Sequence, residues 1–384
     1  MVPRSDGERG DVRFGMSTAR RWYVVGVGLV LLLLSPSAIG ALPAGDSDIS
    51  ARELLQHVHD SEGIAYSGLA ESVGAVQLPI TDEFTGLADL LGGRTRLRVW
   101  WRGEDDWRVD SIEPTGETDL FHDAGGTTTW EYESAQATRT SEPFFRLPRG
   151  ADLLPPELGH RLLVGASPAD VTRLPAERVA GRDAPGLRLE PPEPQASVAR
   201  VDIWVDPETG LPLRVAVFGK GSDSAALTST FLDLTTETPS ASDTSFALPP
   251  GAELRFDDVV DVAAAADHLT DHFPGLVPPA MLAGLTRRVV DDRLGAVGHY
   301  GRGVTRLVAV PLWDEVAIPL REQFSVTPEV RVGVLGHAIR RGPLSLRLTH
   351  REPSGYSWLL IGTVTPKTLR TAAAALAAHP PGPR

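Results

Sequence analysis

The chain has 384 residues, with 37 Lys+Arg against 50 Asp+Glu, a formal net charge of −13 and no cysteine. The acidic balance speaks against nucleic acid, whose binding rests on neutralising phosphates with Lys and Arg. The lack of cysteine excludes disulfides, thiol catalysts, thiolate metal sites and an acyl anchor on a cysteine.

At the N-terminus, Arg13, Arg20 and Arg21 precede the apolar run Trp22–Leu34, and Pro36 and the small residues Ala38-Ile39-Gly40-Ala41 follow. That order predicts a secretory signal peptide within residues 1–44. The alternative is an uncleaved membrane segment over residues 20–42, although the strictly apolar run falls short of the ~20 residues a spanning helix needs. Either way the chain is expected outside the cytoplasm, in a periplasm or on the outer face of the cytoplasmic membrane.

Asp48–Asp60 predicts a short amphipathic helix, with Ser50 as N-cap, Glu53 at capping-box spacing and Leu54, Leu55 and Val58 as its apolar stripe. Tyr66–Gln77 follows as a first strand, and Leu78–Gly93 as a loop with one helical turn. Arg94–Arg102 then alternates strictly: Leu97, Val99 and Trp101 on one face, Arg96, Arg98, Trp100 and Arg102 on the other. Period two marks a sheet with one dry and one wet side. Strands at Trp107–Ile112, Thr118–His122, Thr127–Glu133, Gly186–Leu189, Val198–Val205, Leu213–Phe218 and Ala226–Leu234, split by turn chemistry, give an all-β signature. Between them, residues 142–178 are rich in Pro and Leu, with short helices expected at Pro155 and Pro168. Residues 254–280 read as a linker. A smaller domain over 281–379 is expected to open with a helix carrying Met281, Leu282, Leu285 and Val289. Strands Val304–Pro311, Val330–Leu335, Leu344–His350 and Tyr356–Val364 and a helix capped by Thr365 follow, with a disordered tail over 380–384.

Several constellations carry little chemistry. His268 and His272 stand at i, i+4, but the glutamate of HExxH is missing and Pro274 ends any helix. His57-Val58-His59 lies near a helix end, where a cation suits the dipole. Gly301-Arg302-Gly303 lacks the third glycine of a dinucleotide loop and reads as a turn. No G-x-S-x-G elbow occurs. Catalytic residues, metal and cofactor are therefore not expected, and a surface hydrolase would require a buried carboxylate pair in a cleft.

Two stretches resemble a known family. Residues 94–140 run strand, turn, Trp107, strand, then Trp130-Glu131-Tyr132. Residues 200–250 contain RVDIWVDPETGLPLRVAVF, with the turn of type DPETGLPL as its most specific part. Together they resemble the LolA lipoprotein-carrier fold and its relative, the N-terminal domain of the sigma-E regulator RseB (MucB). The smaller second domain looks like that of the RseB type. The resemblance implies a mostly β (α+β) chain. Its residues 45–253 would form an open, strongly curved antiparallel half-barrel with covering helices, ahead of a smaller α+β domain. It also implies an apolar cavity for acyl chains or another apolar ligand, which Leu97, Val99, Trp101, Trp107, Val109, Trp130, Tyr132, Val201, Ile203, Val205, Leu213, Val215, Val217 and Phe231 would line. Arg96, Arg98 and Arg108 fall on the opposite face, a departure from a LolA-type carrier. By resemblance the partner is a lipidated protein or a membrane-anchored anti-sigma factor, which the chain would regulate. The alternative is a lipid or lipoprotein carrier without a signalling role.

Overall fold

The computed structural model describes residues 43–76, 91–113, 116–141, 148–257, 277–288, 296–352 and 356–378. The expected export segment up to residue 42, the His268/His272 pair and the tail lie outside the described residues. Within them, no helix is long and apolar enough to cross a membrane.

Helix α1 (Ala51–Asp60) starts where the capping box predicts. The Glu53 amide donates to Ser50 Oγ at 3.2 Å, and the Ser50 amide donates to Glu53 Oε2 at 2.9 Å. Its stripe of Leu54, Leu55 and Val58 is buried. The strands that follow are β1 (Tyr66–Gly74), β2 (Arg94–Gly103), β3 (Asp106–Glu113), β4 (Gly116–Asp123), β5 (Gly126–Glu131) and β6 (Gln136–Thr140). A 3-10 turn (Gly150–Leu153) and helix α2 (Pro155–Leu163) interrupt them. Then come β7 (Val171–Val179), β8 (Arg182–Leu189), β9 (Val198–Val205), β10 (Pro212–Gly219), β11 (Ala225–Thr235), the single turn α3 (Ala241–Thr244) and β12 (Glu253–Asp257). Among the described residues these twelve strands form one sheet in the order β12-β6-β5-β4-β3-β2-β1-β11-β10-β9-β8-β7. The sheet is curved and open, with register shifts at Leu69/Ala70 and Pro212/Arg214. Every pairing is antiparallel except β12 with β6. Glu253–Asp257 thus completes the sheet at a point where the sequence reads as the start of a linker. The short helix expected at Pro168 is a turn, and strand β7 takes the place of the irregular chain after it.

The second sheet contains β13 (Met281–Leu282), β14 (Leu285–Arg288), β15 (Gly298–Arg302), β16 (Thr305–Trp313), β17 (Arg331–Gly333), β18 (Gly336–Arg341), β19 (Leu344–Leu348) and β20 (Tyr356–Gly362), in the order β13-β14-β15-β16-β20-β19-β18-β17. Helices α4 (Asp314–Val326) and α5 (Pro366–Ala377) bury Ala317, Leu320 and Phe324, and Leu369, Ala372, Ala373 and Leu376, in its core. The opening helix expected at Met281–Val289 is instead a hairpin. Ala283 and Gly284 both take positive φ, +52° and +80°, which is the two-residue turn whose twist suits paired strands. Val289 lies outside the described residues.

The two sheets meet at residues 193–197. The Ser197 amide donates to the Thr363 carbonyl at 3.0 Å, and the Thr365 amide to that of Gln195 at 2.8 Å. Ala196 and Val364 make a single antiparallel bridge. Ser197 Oγ donates to the Pro343 carbonyl, and Arg302 pairs with Glu193 at 2.7 Å.

Candidate functional site

Residues that face each other across antiparallel strands share a side of the sheet. From β11 to β4 the pairs Phe231–Ala70–Leu97, Tyr66–Trp101–Trp107–His122 and Val99–Val109–Leu120 therefore mark one side, here the inner face. On β10 and β9 the same side carries Val215 with Ile203 and Val217 with Val201. The inner face is covered by α1, the 3-10 turn and α2. Pro155 and Pro156 start α2, and Gly159 lets it lie close on β10, since a Cβ there would stand 2.7 Å from Pro212 Cγ.

Rings cross this face as a ladder. Phe231 meets Tyr66 edge-on at 5.8 Å. Tyr66, Trp101, Trp107 and His122 then stack in turn with centroid distances of 5.9, 5.5 and 4.9 Å. The Arg149 guanidinium lies 4.8 Å over Trp107 and donates to Thr127 Oγ1 at 2.7 Å. Polar groups edge the ladder. The Tyr66 hydroxyl is buried with no hydrogen-bond partner among the described residues, and its pKa is driven well up by burial and by the nearby Glu157 carboxylate. Burial pushes the Glu157 carboxyl up to about 7; Arg161 pulls it back, while Asp152, Glu104 and Glu62 add to the rise. Burial lowers the pKa of His160, whose Nε2 lies 2.9 Å from Ser61 Oγ.

The residues expected to line a cavity fall into three groups. Leu97, Val99, Trp101, Trp107, Val109, Leu213 and Phe231 share one buried cluster with Tyr66, Leu120, Leu153 and Leu154. Val201, Ile203, Val205, Val215 and Val217 belong to the neighbouring cluster under Leu54, Leu55, Val58, Leu158 and Leu163. These side chains are buried beneath the covering helices. Trp130 and Tyr132 are elsewhere. Trp130 pairs with Asp119, which pairs with Asp110, which pairs with Arg98, all on the outer face. Tyr132 follows β5 and is 53% exposed, edge-on to Trp130 at 5.8 Å. Tyr66, His122, Arg149 and Glu157 complete the inner face and escaped the sequence reading. Tyr66 was the one with a signal, as the first residue of an alternating strand.

The outer face does hold a carboxylate pair. Arg108 donates to Asp110 Oδ1 at 2.6 Å and to Asp119 Oδ2 at 2.8 Å, and its guanidinium lies 4.9 Å over Trp100 and 4.7 Å over Phe121. Carboxylate oxygens of Asp110, Glu117 and Asp119 lie within 4.8 Å of one another. Burial, then the charge of Asp110, pushes the Asp119 carboxyl up to about 7, against the pull of Arg108. The Arg108 guanidinium thus pairs with both buried carboxylates, while Asp119 Oδ1 has no hydrogen-bond partner among the described residues.

No family model matches this sequence, and no curated protein matches it. Solved structures do. The complex of Pseudomonas aeruginosa MucA and MucB aligns at 14% identity, over 84% of this chain and 96% of that one, with a TM-score of 0.47. A crystal structure of MucB with MucA(peri) aligns at 14% identity over 84% and 97%, with a TM-score of 0.46. A LolA superfamily protein from Nitrosomonas europaea aligns at 11% identity, over 52% of this chain and 98% of that one, with a TM-score of 0.26. Each of these is a protein that the chain is similar to, at 14% identity or less.

Proposed function

We propose that the protein is an exported, non-enzymatic binding protein that holds an acyl chain or another apolar ligand between the inner face of the first sheet and its covering helices. In this reading its smaller second domain contacts a membrane-anchored anti-sigma factor, the partner that the sequence resemblance implies. The observation that carries the proposal is the cover. A broad apolar face, from Ile203 and Val215 to Trp107, lies under two short helices and a 3-10 turn. An acyl chain that displaces Leu153, Leu154 and Leu158 exchanges one apolar contact for another and gains ~0.8 kcal/mol per CH₂ it brings out of water.

The test is photolabelling with a diazirine-bearing palmitate, read by peptide mapping, beside native mass spectrometry of protein purified from the cell envelope. Label on β2, β9, β10 or α2 together with adducts of lipid mass is the expected result. A bare polypeptide mass with label scattered over the surface would remove the ligand and leave a scaffold for protein contacts.

A further inference from the structure

On the outer face, opposite the covered one, β3 and β4 bring three carboxylates together. Glu117 and Asp119 stand two apart on β4 and so share that face, and Asp110 lies directly across from Asp119 on β3. One carboxylate oxygen from each lies within 4.8 Å of the other two. Asp110 and Asp119 are 0% and 1% exposed, and Glu117 is half-buried. Arg108 takes three of the four oxygens of the aspartate pair: both of Asp110, at 2.6 and 3.0 Å, and Asp119 Oδ2, at 2.8 Å. The fourth, Asp119 Oδ1, is buried without a hydrogen-bond partner among the described residues. Among those residues Glu117 makes no ion pair, and Arg98, opposite Asp110 on β2, is exposed and bonds to none of the three.

One guanidinium does not balance this group. Three carboxylates face a single bonded cation, two of them almost wholly out of water, and buried charge is costly unless it is paired. A carboxylate has about four lone-pair sites, so the oxygens that Arg108 takes keep room for a second cation. The ligand set is all oxygen, which suits a hard ion rather than zinc or copper. Its spread suits calcium: two Ca–O bonds of about 2.3–2.6 Å, laid end to end, span about 5 Å, and the oxygens stay within 4.8 Å. Tyr132 adds a neutral oxygen at the rim. Burial and then Asp119 raise the pKa of its hydroxyl, Arg108 opposes them, and Glu117 and Asp110 add to the rise, so the hydroxyl stands among all four charges. We propose that Asp110, Glu117 and Asp119 hold a calcium ion on the outer face, with Asp119 Oδ1 as its central ligand and Arg108 fixing the two aspartates. The ion ties β3 to β4 and does not depend on any ligand of the covered face.

The test uses the full chain, freed of metal by chelator and dialysis, with terbium as a luminescent stand-in for calcium. Trp100 lies beneath Arg108 and Trp130 opposite Asp119, so excitation through tryptophan should light bound terbium. Calcium should displace that signal at about 10⁻⁴–10⁻³ M, the range of extracellular oxygen sites, and magnesium at least about tenfold less well. Asp119→Asn and Glu117→Gln each keep the side chain's shape and remove one charge, and each should weaken calcium at least about tenfold. Calcium should also raise the melting midpoint of the parent further than that of either variant. Luminescence that calcium does not displace, or that is equal in parent and variants, would mean terbium spread over the acidic surface and would overturn the proposal. So would a parent midpoint that calcium moves no further than the variants'. If Asp119→Asn fails to fold, Glu117→Gln, at a half-buried position, decides by the same two readings.

Discussion

At Gly210 the backbone takes φ +78°, and a Cβ would stand 2.2 Å from the His57 carbonyl oxygen. The turn around it is held by the buried Asp206, which accepts from Arg182 at 2.8 Å and from the Glu208 amide at 3.1 Å. Gly210 is thus the contact through which the β9–β10 turn seats α1, and Gly210→Ala should cost about 1–3 kcal/mol, read as a lowered urea midpoint. Asp119 gives a second prediction at this scale. Its carboxyl holds a proton to higher pH in the folded chain than in the unfolded one. The stability this gives is complete below about pH 4 and is lost as pH rises through about 7. Asp119→Asn keeps an acceptor for Arg108 and removes the charge, so its melting midpoint should exceed the parent's by about 2–4 °C at pH 8, with the two curves meeting at acid pH. Parallel curves would disprove it. Residue by residue, the inner face was legible wherever a strand alternates apolar with charged, as in Arg94–Arg102. Trp130 and Tyr132 misled because β5 reads Thr-Thr-Thr-Trp-Glu: a single ring among polar residues fixes a period but not which side of the sheet it faces.

Among the elements, α1 was legible down to its cap, since a capping box is a local signal. Ser50→Ala removes the oxygen that accepts from the Glu53 amide and should cost about 1 kcal/mol. Helix α2 has a pH dependence of its own. Glu157 lies in its first turn with a carboxyl raised to about 7 by burial, so above neutrality the helix must cover apolar side chains while carrying a charge. Its stabilising share is present below about pH 4.5 and fades as pH passes about 7. Glu157→Gln should therefore slow amide exchange over residues 157–163 at pH 8 and change it little at pH 5; an equal effect at both would count against the argument. Elements were lost where local pattern and tertiary context part. Met281, Leu282 and Leu285 have helical spacing, but Ala283-Gly284 turns the backbone there. Helix α4 carries Pro319 inside it and exposes Val316 and Ile318, so its apolar stripe is blurred and the sequence reading passed over it. Strand β7 contains Pro175 and a register shift between Leu174 and Glu177, which hides its period.

Over the whole molecule, the contact between the two sheets combines backbone bonds and a buried alanine with the half-exposed Arg302–Glu193 pair. Ala196 is fully buried at the bridge to Val364. Ala196→Asp should separate one calorimetric transition into two, whereas Arg302→Ala, which breaks the half-exposed pair with Glu193, should shift stability by no more than about 1 kcal/mol. A single unchanged transition in Ala196→Asp would show that the contact at residues 193–197 does not couple the sheets. The parallel pairing of β6 with β12 has a further consequence, in the order of folding. Residues 136–140 emerge from the ribosome long before residues 253–257, and β1 likewise waits for β11. Such distant pairings are slow to form. Until β12 arrives, β6 is a bare edge at the end of a growing sheet, and a chain cut short before residue 253 would keep that edge open to other copies of itself.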